Sequence, residues 1–123
     1  MTHDTSLSAL IAAIDDAERG PGPGDLDGAP DLLWWRLVAE GVALRAAGLV
    51  RGHPLIDDPW IETSPVLGYD RDAGWMRTRS RWYRLGDPAD PDHIAALDPA
   101  AQRLLAALRR RVRPREWRRG ETA

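Results

Sequence analysis

Apolar and polar positions alternate with different periods along the chain, and the period changes mark the elements. Leu7, Leu10, Ile11 and Ile14 recur at i, i+3, i+4 and i+7, a spacing that predicts a helix over 6–19. Thr5 or Ser6 can cap its start, and Gly20 with Pro21 ends it. "GPGPGDLDGAP", residues 20–30, has turn residues and no periodicity, which predicts a loop. The stretch 32–51 is open between two readings. It is rich in Ala and Leu, yet Gly41 and Gly48 would each cost about 1 kcal/mol inside a helix. Alternation of Val42, Leu44, Ala46, Gly48 and Val50 against Arg45 and Arg51 favours a strand at 42–51, preceded by a short helix or an extended lead at 31–38.

Turn residues punctuate "RGHPLIDDP". Trp60–Tyr69 then reads as a second strand interrupted at Pro65, which suggests an edge or a bulge. "DRDAG" predicts a hairpin loop with Gly74 at positive φ. A third strand follows, Trp75–Leu85, stopped by Gly86, Asp87 and Pro88. Asp98 as N-cap and Pro99 at the first helical position open a helix over 98–112 with an apolar stripe at Leu104, Leu105, Leu108 and Val112. This order predicts an α+β, two-layer fold: a three-stranded antiparallel meander flanked by an N-terminal and a C-terminal helix (α-β-β-β-α), with both helices on one sheet face. Residues 1–113 form one domain in this reading, and 114–123 a basic flexible tail.

At 123 residues the chain has the size of one domain. It has no Cys, which excludes disulfides and thiolate metal sites. The start lacks a basic segment ahead of its apolar run, and no stretch is long enough to span a bilayer, so the expectation is a soluble cytoplasmic protein. Lys, Asn and Phe are absent altogether. Their codons are AT-rich, so base composition accounts for part of the arginine content.

The net charge of −2 conceals an asymmetry. Residues 1–70 carry four arginines against twelve acids; residues 71–123 carry thirteen against seven. On one extended strand Arg77, Arg79 and Arg81 would share a face. With Trp75 and Tyr83 beside them they form the candidate partner-binding surface, facing an acidic protein or, alternatively, nucleic acid. The nucleic-acid reading adds Arg110, Arg113, Arg115, Arg118 and Arg119. Of the adjacent pair Trp34 and Trp35 only one can face inward; Trp34, Trp60 and Trp82 are expected as core anchors, which makes Trp35 the contact candidate. Self-association through a Trp-rich surface is a further option.

Catalytic patterns are lacking. His3, His53 and His93 are scattered, and no nucleophile elbow, P-loop or dinucleotide fingerprint occurs. Asp57, Asp58 and Glu62 could approach a hard cation, but adjacent acids in a Pro-bounded loop are ordinarily solvated. No enzyme, cofactor or metal is expected.

From about Trp35 to Gly86 the segments "VRGHPLI", "TSPVL" and "GWMRTRSRWYRLG" resemble a family of short uncharacterised proteins of alphaproteobacteria and their mobile elements. The matching positions include Gly52, His53, Pro54, Thr63, Ser64, Gly74, Trp75, Arg77, Thr78, Ser80, Arg81, Tyr83, Leu85 and Gly86. The resemblance implies a discrete fold unit with no assigned activity. The function expected is a small non-catalytic binding or accessory protein, in a mobile-element setting an inhibitor of a host complex.

Overall fold

The computed structural model describes residues 2–112. Helix α1 spans Thr2–Arg19. Six strands follow, β1 (Asp31–Glu40), β2 (Ala43–Arg51), β3 (Trp60–Glu62), β4 (Val66–Asp70), β5 (Trp75–Thr78) and β6 (Trp82–Leu85), and helix α2 spans Pro91–Val112. The sheet order is β3-β2-β1-β6-β5-β4, antiparallel except for the β1–β6 pair. A six-stranded mixed sheet therefore replaces the expected three-stranded meander.

Three local readings explain the difference, one of them being that the expected strand Trp60–Tyr69 breaks at residues 63–65 into β3 and β4. Residues 31–40 are strand throughout, because Leu32, Trp35 and Leu37 turn inward between β2 and the chain after β6, and that burial overrides helix propensity. The expected strand Trp75–Leu85 is two strands. Thr78 and Arg81 close a tight turn: the Thr78 N–H donates to the Arg81 carbonyl at 2.9 Å, and the Thr78 hydroxyl accepts from the N–H groups of Ser80 and Arg81, both at 3.2 Å. A threonine hydroxyl can hold a turn in this way without Gly, Pro, Asn or Asp.

The two sheet edges meet. β3 and β4 lie at opposite ends of the strand order, yet only residues 63–65 separate them. Six flat strands would hold their edges about 24 Å apart, whereas the step from Glu62 to Val66 reaches at most about 14 Å. The sheet must curl. The Thr63 N–H donates to Ala46 O of β2 at 2.7 Å, and Pro65 O accepts from the Arg79 N–H at 2.9 Å, so this linker bonds to β2 near one end of the sheet and to the β5–β6 turn near the other. Pro65, expected to interrupt a strand, does so where the chain passes from one edge to the other.

The concave side forms the core: Leu32, Trp35, Val66, Tyr69, Met76 and Tyr83 with Ile94, Ala101 and Leu105 of α2. Full burial of a side chain such as Leu32 or Ile94 contributes roughly 2 kcal/mol. Tyr69 donates its hydroxyl proton to Asp98, and Gln102 Nε2 donates to Tyr69 O at 3.5 Å, which fastens α2 to the inner face. Asp98 is thus not the N-cap of α2. That place belongs to Asp90, whose carboxylate accepts from the His93 N–H at 3.1 Å; Pro91 takes the first helical position and Pro99 lies inside the helix.

The two helices do not lie side by side on one face: most of α2 packs inside, and only its end, through Leu108 and Val112, reaches the cluster of Ala13, Ile14, Ala17 and Leu67 that α1 forms. Gly68, Arg77 and Trp82 are register partners on the convex side, and α1 packs there. Ala17 lies so close to Gly68 that a Cβ at that position would come within 2.9 Å of its own, Asp16 pairs with Arg77, and the Trp75 ring lies against Gly20. Among the described residues no helix is long and apolar enough to cross a membrane.

Candidate contact surface

Helix α1 covers only the β4–β5 end of the convex side. Over β1, β2 and β3 the register partners Leu33, Leu49 and Trp60 form one outward row, with Leu49 and Trp60 exposed. The next row holds Arg36, Ala47 and Glu62. The Arg36 guanidinium stands 5.8 Å from the centroid of the Trp60 ring. A stacked guanidinium keeps its in-plane donors free for a carboxylate.

A bulge organises the middle of β1. Between Leu33 and Arg36 the register slips, so that Trp34 and Trp35 together oppose Gly48. Trp35 turns inward and is 1% exposed; its Nε1–H donates to Gly86 O at 2.8 Å and its ring meets Tyr69 edge-on at 6.4 Å. Trp34 takes φ +50 and is 61% exposed. Its N–H donates to Asp87 O at 2.8 Å. A left-handed backbone costs a bulky residue about 1–2 kcal/mol, and the Trp34 side chain, mostly in solvent, offsets little of that cost by its own burial.

The residues singled out from sequence are dispersed. Arg77 lies mostly buried beneath α1, 3.6 Å from Asp16 and 5.4 Å from the Trp82 ring centroid, and Trp82 meets Trp75 edge-to-face at 5.6 Å. Burial lowers the Arg77 pKa, and the Asp16 and Asp25 charges work against that shift. Arg79 is exposed on the β5–β6 turn, and Arg81 follows it. Tyr83 is buried on the inner face, where burial raises its pKa. The three arginines do not form one row. Trp35 is core, whereas Trp34 and Trp60, expected as anchors, are exposed. Arg110 is exposed in the last turn of α2; Arg113, Arg115, Arg118 and Arg119, and the expected tail, lie outside the described residues.

The available signal for the missed surface was Leu49, a large apolar residue on the side of β2 that otherwise carries Arg45, Arg51 and the small Ala43 and Ala47. Trp34 gave no such signal, because nothing in its neighbours foretells a bulge.

The model of a family of unknown function, DUF6634, matches residues 3–103. The chain belongs to this family. No curated protein and no solved structure matches it. The DUF6634 span contains the whole sheet and the convex surface with Trp34, Arg36, Leu49 and Trp60, whereas Arg109, Arg110 and Arg111 fall beyond it.

Other polar side chains of this DUF6634 chain make contacts within the fold. Asp31 accepts from Arg51 Nε and Nη2, both at 3.1 Å, and from Arg84 Nε at 2.8 Å. Burial pushes its carboxyl up, but the hydrogen bonds and charges of Arg84 and Arg51 outweigh this and hold it below the ordinary range. His53 Nδ1 accepts from the Leu55 N–H at 3.0 Å, and burial together with the Arg81 charge lowers its pKa. Asp58 accepts from the Trp60 N–H at 3.0 Å. Among the described residues no three His, Cys, Asp or Glu side chains gather to hold a metal. A groove of about 80 Å³ lined by Val42, Leu104, Ala107, Leu108 and Arg111 is small beside ordinary ligand sites.

Proposed function

We propose that the chain is a small non-catalytic binding protein whose contact surface is the open convex side of β1–β3. Trp34 carries this reading: a tryptophan held in a strained left-handed conformation and left in solvent adds nothing to the core, so its side chain is kept for something outside the fold. Leu33, Leu49 and Trp60 add apolar area next to it in chain and register, and the stacked Arg36 supplies a cation. A complementary partner is a protein presenting an apolar side chain flanked by carboxylates. An accessory or inhibitory role, binding a larger complex without chemistry of its own, fits a surface of this kind.

A photo-reactive benzophenone residue at position 49 of the full chain tests this in a lysate of the source organism, with position 100 on the exposed side of α2 as control. The expected result is a discrete protein adduct from position 49 that Trp60→Ala abolishes. No adduct, equal adducts at both positions, or an adduct removed by nuclease would each contradict the reading, the last in favour of nucleic acid.

A further inference from the structure

Beyond Trp35 the strand β1 has a neighbour on one side only. β6 pairs with it at Asp31 and Leu32, and the chain after β6 follows it as far as Trp35, whose carbonyl accepts from the Ala89 N–H at 2.9 Å. From Arg36 to Glu40, among the described residues, only β2 pairs with it. Glu40 and Ala43 are partners across a two-residue turn in which Gly41 takes φ +61, so this pair exchanges both ladder bonds. The backbone groups of Arg36, Val38 and Glu40 therefore point towards β2. Those of Leu37 and Ala39 point the other way, where among the described residues no strand stands.

An open edge is normally blunted by proline, a bulge or repelling charge. The stretch "RLVAE", residues 36–40, contains no proline, and its two charges are opposite in sign and placed symmetrically about Val38. We propose that this edge pairs antiparallel with the same edge of a second copy of the chain, about a two-fold axis at Val38, joining two sheets into one. Leu37 then stands opposite Ala39 of the partner subunit, and Ala39 opposite the partner's Leu37. Both are outward-directed backbone pairs, together worth four hydrogen bonds. Val38 meets its own copy at the axis, and Arg36 faces the partner's Glu40 twice over.

The register is selective. A shift of two residues in either direction loses one backbone pair and both ion pairs. Within a single chain neither charge has a close ion pair: Arg36, stacked on Trp60, has none among the described residues, and exposed Glu40 only approaches Arg45 Nε at 3.9 Å. The backbone pairing uses neither Leu49 nor Trp60, so Trp60→Ala leaves it intact and Ala39→Pro leaves the adduct from position 49 intact; Arg36 alone belongs to both surfaces.

Sedimentation equilibrium of the full chain at about 200 µM reads the association directly, since so short an interface makes a concentration-dependent dimer. The mass is expected to approach twice 13.7 kDa. Ala39→Pro removes an N–H that the monomer does not use, and it raises the dissociation constant by about tenfold or more, with the circular dichroism and melting of the fold preserved. Arg36→Glu and Glu40→Arg each weaken the dimer alone. Mixed together they form a heterodimer, because each carries the charges the other lacks. A wild-type monomer at this concentration, or a dimer indifferent to Ala39→Pro and to both charge variants, would overturn the proposal.

Discussion

Gly48 of β2 stands directly opposite Trp35 of β1, so close that a Cβ on Gly48 would lie 2.9 Å from the Trp35 Cα and 2.8 Å from the Leu33 carbonyl oxygen. Both obstacles are backbone and cannot swing aside. Gly48→Ala is expected to destabilise the fold by roughly 1–3 kcal/mol through overpacking, measured as a lower urea midpoint at unchanged slope. A neutral result would mean that the bulge yields and does not fix the path of β1.

Arg77 and Arg79, two residues apart in sequence, should respond differently to truncation. Arg77 joins the sheet to Asp16 of α1 and stacks on Trp82, with 15% of its side chain exposed, whereas the Arg79 side chain stands in solvent. Arg77→Ala is expected to cost about 1–2 kcal/mol for a part-buried charge-assisted contact, and Arg79→Ala to stay within about 0.5 kcal/mol. Equal losses would mean that both arginines serve one surface, as a single strand from Trp75 to Leu85 would require.

That contrast shows how far the residues could be read without coordinates. The helix ending at Arg19, the strand ending at Arg51, the hairpin with Gly74 at φ +78 and the interruption at Pro65 all follow from short-range chemistry and are present. The break at Arg79–Arg81 was hidden because a threonine hydroxyl, and no usual turn residue, makes it. The start of α2 was misplaced because Asp90-Pro91 and Asp98-Pro99 offer the same N-terminal signature eight residues apart. Only the tertiary contact between Asp98 and Tyr69 separates them.

The sheet itself was the larger miss. Strand order and curl depend on which strands lie beside β1 and β2, and a parallel pair such as β1–β6, distant in sequence, leaves no local trace. The contact surface shared that fate. Whether Trp34 or Trp35 faces outward is decided by a one-residue slip in register, and such a slip reverses every side chain near it.

Two titrations give the pH dependence its sign. Asp31 is held below its ordinary value of 3.8, so the unfolded chain takes up the proton first. Its contribution is present above about pH 4 and lost as pH falls further. Asp31→Asn should flatten stability against pH in this acid range. His53 is also lowered, from 6.5, so its neutral form favours folding; stability is full above that value and declines as pH falls through it. An NMR titration placing the folded-state pKa of His53 above 6.5 would contradict the burial assigned to it.

In the proposed function Trp34 serves a contact outside the fold, while its neighbour Trp35 serves the core. The measurement that separates them is the unfolding free energy of Trp34→Gly beside that of Trp35→Ala, each in the full chain. Glycine relieves the left-handed strain and loses little burial, so Trp34→Gly should stay within about 1 kcal/mol of the parent while losing the adduct from position 49, and Trp35→Ala should cost about 3–5 kcal/mol. If Trp34→Gly destabilises the protein as much as Trp35→Ala does, Trp34 belongs to the core and the proposed surface loses its anchor.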